Sequence, residues 1–232
     1  NGSFDNTITL TQPNCAVNKI QLLSDGSYFT CGDFTQVGVI FRGRVAKFNA
    51  DGTLNAVFDP LGGANAGVFD CKVQTNGKLV IGGYFTSING SNLQKFIGRF
   101  NTNGTIDTSF AQSVNSPLVN GQVTSVEIQA DGKILVGGIF ADVGGTARNN
   151  LTRLNSNGSL DTTFVANTTA QVFDIGMQTD NKILVGGDFA KINSSSAVGA
   201  GRLLNSLTPA RTPFDYDGDG KSDVSVFRAS EN

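Results

Sequence analysis

Aspartates stand at positions 215, 217, 219 and 223 of the run DYDGDGKSD, interleaved with glycine and small polar residues. Alternating carboxylates on a glycine-rich backbone can curl around one hard cation, and the carbonyl of Lys221 adds a further oxygen at the seventh loop position. Calcium accepts roughly six to eight oxygens with tolerant geometry, so four carboxylates, a carbonyl and water suffice. Val226 occupies the place of the twelfth-position Glu of an EF-hand, and no helical pattern flanks the loop, so the motif is not an EF-hand. The expected metal ligands are therefore Asp215, Asp217, Asp219, Lys221 and Asp223, and the expected ion is calcium. Its role would be structural, neutralising clustered carboxylates so that a hairpin can fold. The competing reading is a solvated Asp/Gly-rich turn.

Elsewhere the means for catalysis are sparse. Histidine and tryptophan are absent, which removes His-based triads, His metal sites and imidazole acid–base chemistry. Cys15, Cys31 and Cys71 show no CxxC spacing, so a zinc site is not expected. Cys71 falls in repeat register with Ile20, Val126 and Ile175, as a buried thiol would, and a Cys15–Cys31 disulfide is a further option. A glycosidase pair would have to be drawn from Asp70, Glu127, Asp142 and Asp174, of which Asp70 and Asp174 are equivalent in the repeat. A basic residue precedes an acid or amide by eight positions in Lys47 and Asn55, Arg99 and Asp107, and Arg153 and Asp161; an ion pair or turn within one unit is the simplest account. No catalytic or cofactor-binding residue, and no enzyme, is expected. Seventeen basic against nineteen acidic residues, without a run of either sign, exclude a nucleic-acid face. No apolar run approaches the roughly 20 residues of a membrane helix.

The elements that would carry these residues repeat. DGSYFTCGDF (25–34), NGKLVIGGYF (76–85), DGKILVGGIF (131–140) and DNKILVGGDF (180–189) recur at a period of about 50 residues, the mark of a radial or stacked array of small β-units. In the third unit QVTSVEIQ (122–129) alternates as a half-buried strand, Asp131-Gly132 signals a hairpin, and KILVGG (133–138) is apolar throughout, as a strand covered on both faces must be. After a variable loop come LTRLNSNG (151–158) and the tail SLDTTF (159–164), a short fourth strand or edge segment. Phe58, Phe110 and Phe164, with Phe34, Phe85, Phe140 and Phe189, read as core between units. In the fourth unit GRLLNS (201–206) is read with Leu203 at the basic position, and the D-x-x-F tail is lost. An all-β propeller of about four four-stranded blades follows, as a closed small ring or an arc of a larger one; a β-solenoid is the alternative.

Residues 1 to about 205 resemble the delta-60 family of bacterial repeats, whose units read roughly DGKILVGGxF…LxRLNxDGSLDxxF. The resemblance implies a propeller in a large secreted or surface-attached protein and brings no activity. The segment PFDYDGDGKSDVSVFRASEN (213–232) is similar to the calcium loop of FG-GAP/VCBS repeats, the integrin-α-like blades. The expected division is a delta-60 propeller over 1–208, with blades near 15–58, 66–110, 119–164 and 170–205 and with 1–8 the tail of a preceding repeat, then a truncated FG-GAP/VCBS-like repeat over 209–232. The expected role is a bacterial extracellular or cell-surface module for adhesion, scaffolding or protein–protein interaction, with a carbohydrate-binding or carbohydrate-degrading propeller as the alternative. Expected partners are other protein chains or the remainder of a longer chain, with glycans as a further class.

Overall fold

The computed structural model describes residues 2–3, 12–110, 114–115 and 121–205. Four blades follow one another along the described chain, each a three-stranded antiparallel sheet, with smaller sheets of two-residue strands outside them. The first holds β1 (Val17–Leu22), β2 (Tyr28–Gly32) and β3 (Val45–Phe48). The second holds β4 (Val68–Val73), β5 (Leu79–Gly83) and β6 (Ile97–Phe100). The third holds β7 (Gln122–Ile128), β8 (Ile134–Ile139) and β9 (Leu151–Leu154). The fourth holds β10 (Val172–Met177), β11 (Ile183–Gly187) and β12 (Ala200–Leu203). In every blade the second strand lies in the middle. No helix occurs among the described residues.

The turn chemistry explains the first hairpin of each blade. Only the second turn residue takes the left-handed conformation, at Gly26, Gly77, Gly132 and Asn181 with φ between +63° and +82°. Gly tolerates it without cost and Asn better than most residues. The first turn residue works through its side chain: Asp25, Asn76, Asp131 and Asp180 each accept from the backbone N–H two residues on.

The expected fourth strand is reduced to one bridge per tail, Phe48 with Leu54, Phe100 with Ile106 and Leu154 with Leu160. The tail residue Asp107 explains why pairing stops: its Oδ1 accepts from the Ser109 amide and hydroxyl, and its carbonyl accepts from the Phe110 amide. The backbone therefore turns and drives the Phe inward. Phe58 meets Phe29 edge-on at 5.0 Å and Phe100 at 6.1 Å, between the first and second blades.

Middle strands are covered on both faces, as their unbroken apolar runs require. Leu79 and Ile81 of β5 join a core with Phe29, Cys31 and Phe58, whereas Val80 joins the next core with Val123, Val126 and Ile134. Each blade thus packs on the one before and the one after. At the two ends no other described blade covers the sheet: Ile20 of β1 is 61% exposed and Leu184 of β11 is 44% exposed. The described blades form an open arc.

Strand register corrects one assignment. Arg202, not Leu203, holds the basic position of the fourth unit, because it stands opposite Leu184 as Arg153 stands opposite Leu135 and Arg99 opposite Val80. The three cysteines are free, with Cys15 exposed and Cys31 and Cys71 buried, so a Cys15–Cys31 disulfide is absent. Cys31 instead contacts Cys71 across the first blade junction, and burial pushes the Cys31 thiol well up from its ordinary range.

Candidate functional site

The first strand of each blade carries the remaining chemistry. Strand register aligns Lys19, Asp70, Ser125 and Asp174, opposite Cys31, Gly82, Gly137 and Gly186 respectively. A register shift falls beside this position in every blade, which re-aims its side chain toward the neighbouring first strand. Lys19 Nζ lies 3.4 Å from Asp70 Oδ1, and Asp70 Oδ2 accepts from the Val126 amide at 2.9 Å. Ser125 Oγ accepts from the Ile175 amide at 3.1 Å and donates to Asp174 Oδ1 at 3.2 Å. Two positions further along, Lys72 Nζ meets Glu127 Oε2 at 2.7 Å. A polar row therefore stitches each inner strand to the next.

The electrostatics follow from that row. Burial pushes the Asp70 carboxyl above its ordinary range, against the Val126 amide and the Lys19 and Lys72 charges. Lys19 is held above its ordinary range because Asp70 and Asp174 outweigh its partial desolvation. Of the four carboxylates weighed for glycosidase work, Asp70, Glu127 and Asp174 come to the inner strands. Asp142 lies on an outer hairpin, where it accepts from the Gly145 amide at 3.1 Å. Among the described residues no group of three or more His, Cys, Asp or Glu could hold a metal. The predicted calcium ligands Asp215, Asp217, Asp219, Lys221 and Asp223 lie outside the described residues, as does most of the expected tail over 1–8.

The basic and acidic residues spaced by eight form buried pairs within a blade, with Arg99 Nε to Asp107 Oδ2 and Arg153 Nε to Asp161 Oδ2 both at 2.8 Å. Each guanidinium also stacks on the Phe that ends its tail, at 4.7 Å. A second cation on each acid escaped the sequence reading: Lys78 Nζ reaches Asp107 at 2.8 Å and Lys133 Nζ reaches Asp161 at 2.9 Å. The signal was present, because where the tail carries Asn55 the turn carries Ser27 in place of lysine.

The family model described as domain of unknown function (DUF5122) beta-propeller matches residues 23–58, 74–110, 129–164 and 178–208. The chain belongs to this family. Each match opens at the first hairpin turn of a blade, just after its inner strand, so the DUF5122 repeat covers the second and third strands and leaves out the first. Similar solved structures include a streptogramin B lyase, at 15% identity, covering 86% of this chain and 54% of that one, with a TM-score of 0.49. Virginiamycin B lyase from Staphylococcus aureus matches at 17% identity, covering 87% of this chain and 59% of that one, with a TM-score of 0.48. PorZ, a surface component of the type-IX secretion system of Porphyromonas gingivalis, matches at 15% identity, covering 82% of this chain and 27% of that one, with a TM-score of 0.48. The chain spans between 27% and 59% of the length of these three structures. No curated protein matches it. The expectation of a non-enzyme is corrected: lyases stand among the similar structures, and the propeller fold leaves the question of catalysis open.

Proposed function

We propose that this DUF5122 propeller is an assembly module of an extracellular or cell-surface bacterial protein, acting in scaffolding through protein contacts at its end blades. The observation that carries the reading is the pair of uncovered apolar sheet faces, one at Val17 and Ile20 and the other at Leu184. Monomeric proteins bury such strand faces or pair them with a partner. The extracellular setting is supported by the delta-60 resemblance. It is supported too by the Asp215, Asp217, Asp219, Lys221 and Asp223 loop, whose calcium would be supplied outside the cell at the millimolar level that weak extracellular sites use.

The experiment is hydrophobic-dye binding in dilute solution, read together with thermal unfolding. The wild-type chain binds the dye, and Ile20→Asp and Leu184→Asp each lower the signal while leaving Tm unchanged, because both side chains sit on a free face. If either substitution lowers Tm by several degrees and the wild type binds no dye, the end faces belong to the chain's own core and the reading fails.

A further inference from the structure

The two end faces are matched halves of a junction that the chain already builds internally. Wherever two blades meet, the middle strand of the first offers a small residue and the inner strand of the second fills the space above it. A Cβ on Gly82 would lie 2.5 Å from Val123 Cγ1 and 2.9 Å from Val126 Cγ2. A Cβ on Gly137 would lie 2.5 Å from Val172 Cγ1 and 3.0 Å from Ile175 Cδ1. Side chains and sockets are also matched in size. At the first junction the socket holds Cys31 in place of glycine, and the side chain it faces has shrunk to Cys71.

Gly186 is the same socket in the fourth blade, in the same register, and nothing lies within 4 Å of its Cβ position. It floors a shallow depression shared with Asp174, Leu184, Ala200 and Gly201. Leu184 is 44% exposed there, whereas its equivalents Val80 and Leu135 are fully buried. The first blade presents the converse. Val17 and Ile20 repeat the Val172 and Ile175 pair that fills Gly137, yet they stand 38% and 61% exposed. Large β-branched side chains fit a glycine socket, and Gly186 is the socket of this set left open among the described residues.

The polar row fits the same junction. The aligned side chain of one blade accepts from an amide of the next, Asp70 from Val126 and Ser125 from Ile175. Asp174 is the aligned acceptor of the fourth blade, and Ile20 carries the equivalent amide of the first. Lys19 would stand beside Asp174 with opposite charge, as it stands beside Asp70 within the chain.

We infer that a second copy of this chain docks head to tail, the β1 face of one copy seated on the β11 face of the other through Val17 and Ile20 over Gly186. Two arcs of four blades make a ring of about eight, within the range propellers use. Because the contact is heterologous and made twice, a pair of copies closes on itself. The inference rests on the assembly reading above and names the partner.

Light scattering after size exclusion, across a range of concentrations, tests it with two blocked variants. Gly186→Val fills the socket, and Ile20→Asp spoils the side chain that enters it; circular dichroism checks that both fold. The wild type reaches twice the monomer mass, each variant alone stays at the monomer mass, and the two mixed form a one-to-one complex through the single intact junction. A wild type that is monomeric at every concentration, a ladder of larger species, or self-association of either folded variant overturns the pairing. The dye experiment above separately decides whether the end faces are free at all.

Discussion

A single methyl group measures how differently equivalent glycines are used. Gly82, Gly137 and Gly186 share a register, but the first two lie under β-branched side chains of the next blade and the third lies under no described residue. Gly137→Val would force Val172 and Ile175 away, and overpacking of this kind costs about 1–3 kcal/mol. At concentrations where the chain is a single copy, Gly186→Val meets open space, has no positive φ to strain, and is expected to change stability by less than about 0.5 kcal/mol. Urea unfolding of the two variants side by side checks the contrast. Equal destabilisation would mean that Gly186 is packed after all.

At the level of the blade, the Arg–Asp–Phe tail replaces the fourth strand as the clasp. Arg99 and Asp107 are both nearly fully buried, and Arg99→Ala leaves Asp107 with Lys78 as its remaining cation while emptying the guanidinium's place beside Gln74 and Phe110; it is expected to cost about 3 kcal/mol. Arg202 holds the equivalent register but is exposed, and Arg202→Ala should cost less than about 0.5 kcal/mol. Chemical denaturation resolves a difference of that size. The same clasp sets the response to acid. Although burial opposes ionisation, hydrogen bonds from Lys78 and Ser109 to Asp107, and from Thr163 and Lys133 to Asp161, hold both carboxyls well below the usual range. A carboxyl so depressed contributes stability above its unfolded value near about pH 4, and that contribution is lost as pH falls further toward the folded value. Asp70, raised by burial, works in the opposite sense, its contribution lost as pH rises through its folded value. Asp107→Asn should therefore flatten the loss of stability below about pH 4, measured as the urea midpoint against pH. An unchanged acid limb would remove the clasp from that role. The Arg and Asp of the clasp were legible from their spacing of eight, because the repeat printed them more than once. The lysines that share those acids left only a fainter trace, the joint change to Ser27 and Asn55 in the first unit, since a turn residue and a tail residue meet only when the hairpin folds back across the sheet.

Over the whole molecule, repeats that touch only their neighbours confer stability unevenly. In a single copy the second and third blades are covered on both sides and the first and fourth on one, so native-state amide exchange in dilute solution should be slowest in β5 and β8 and faster in β2 and β11. Uniform exchange would point to a single cooperative unit. If the Asp215–Asp223 loop holds calcium as proposed, calcium raises Tm and a chelator reverses the gain. Asp217→Asn with Asp219→Asn removes that response, whereas a calcium-independent Tm in the wild type refutes the site. What the amino-acid sequence determined by itself is the unit: a 50-residue period, the Asp/Asn-Gly turns, the two-faced middle strand and the Phe of the tail all arise from local chemistry that repetition makes visible. Tertiary structure decided the junctions. Whether a glycine is filled or empty, whether Ile20 is core or surface, and which carboxylates meet a lysine depend on what stands beside each blade. Four nearly identical units do not encode in their own residues which of them has a neighbour.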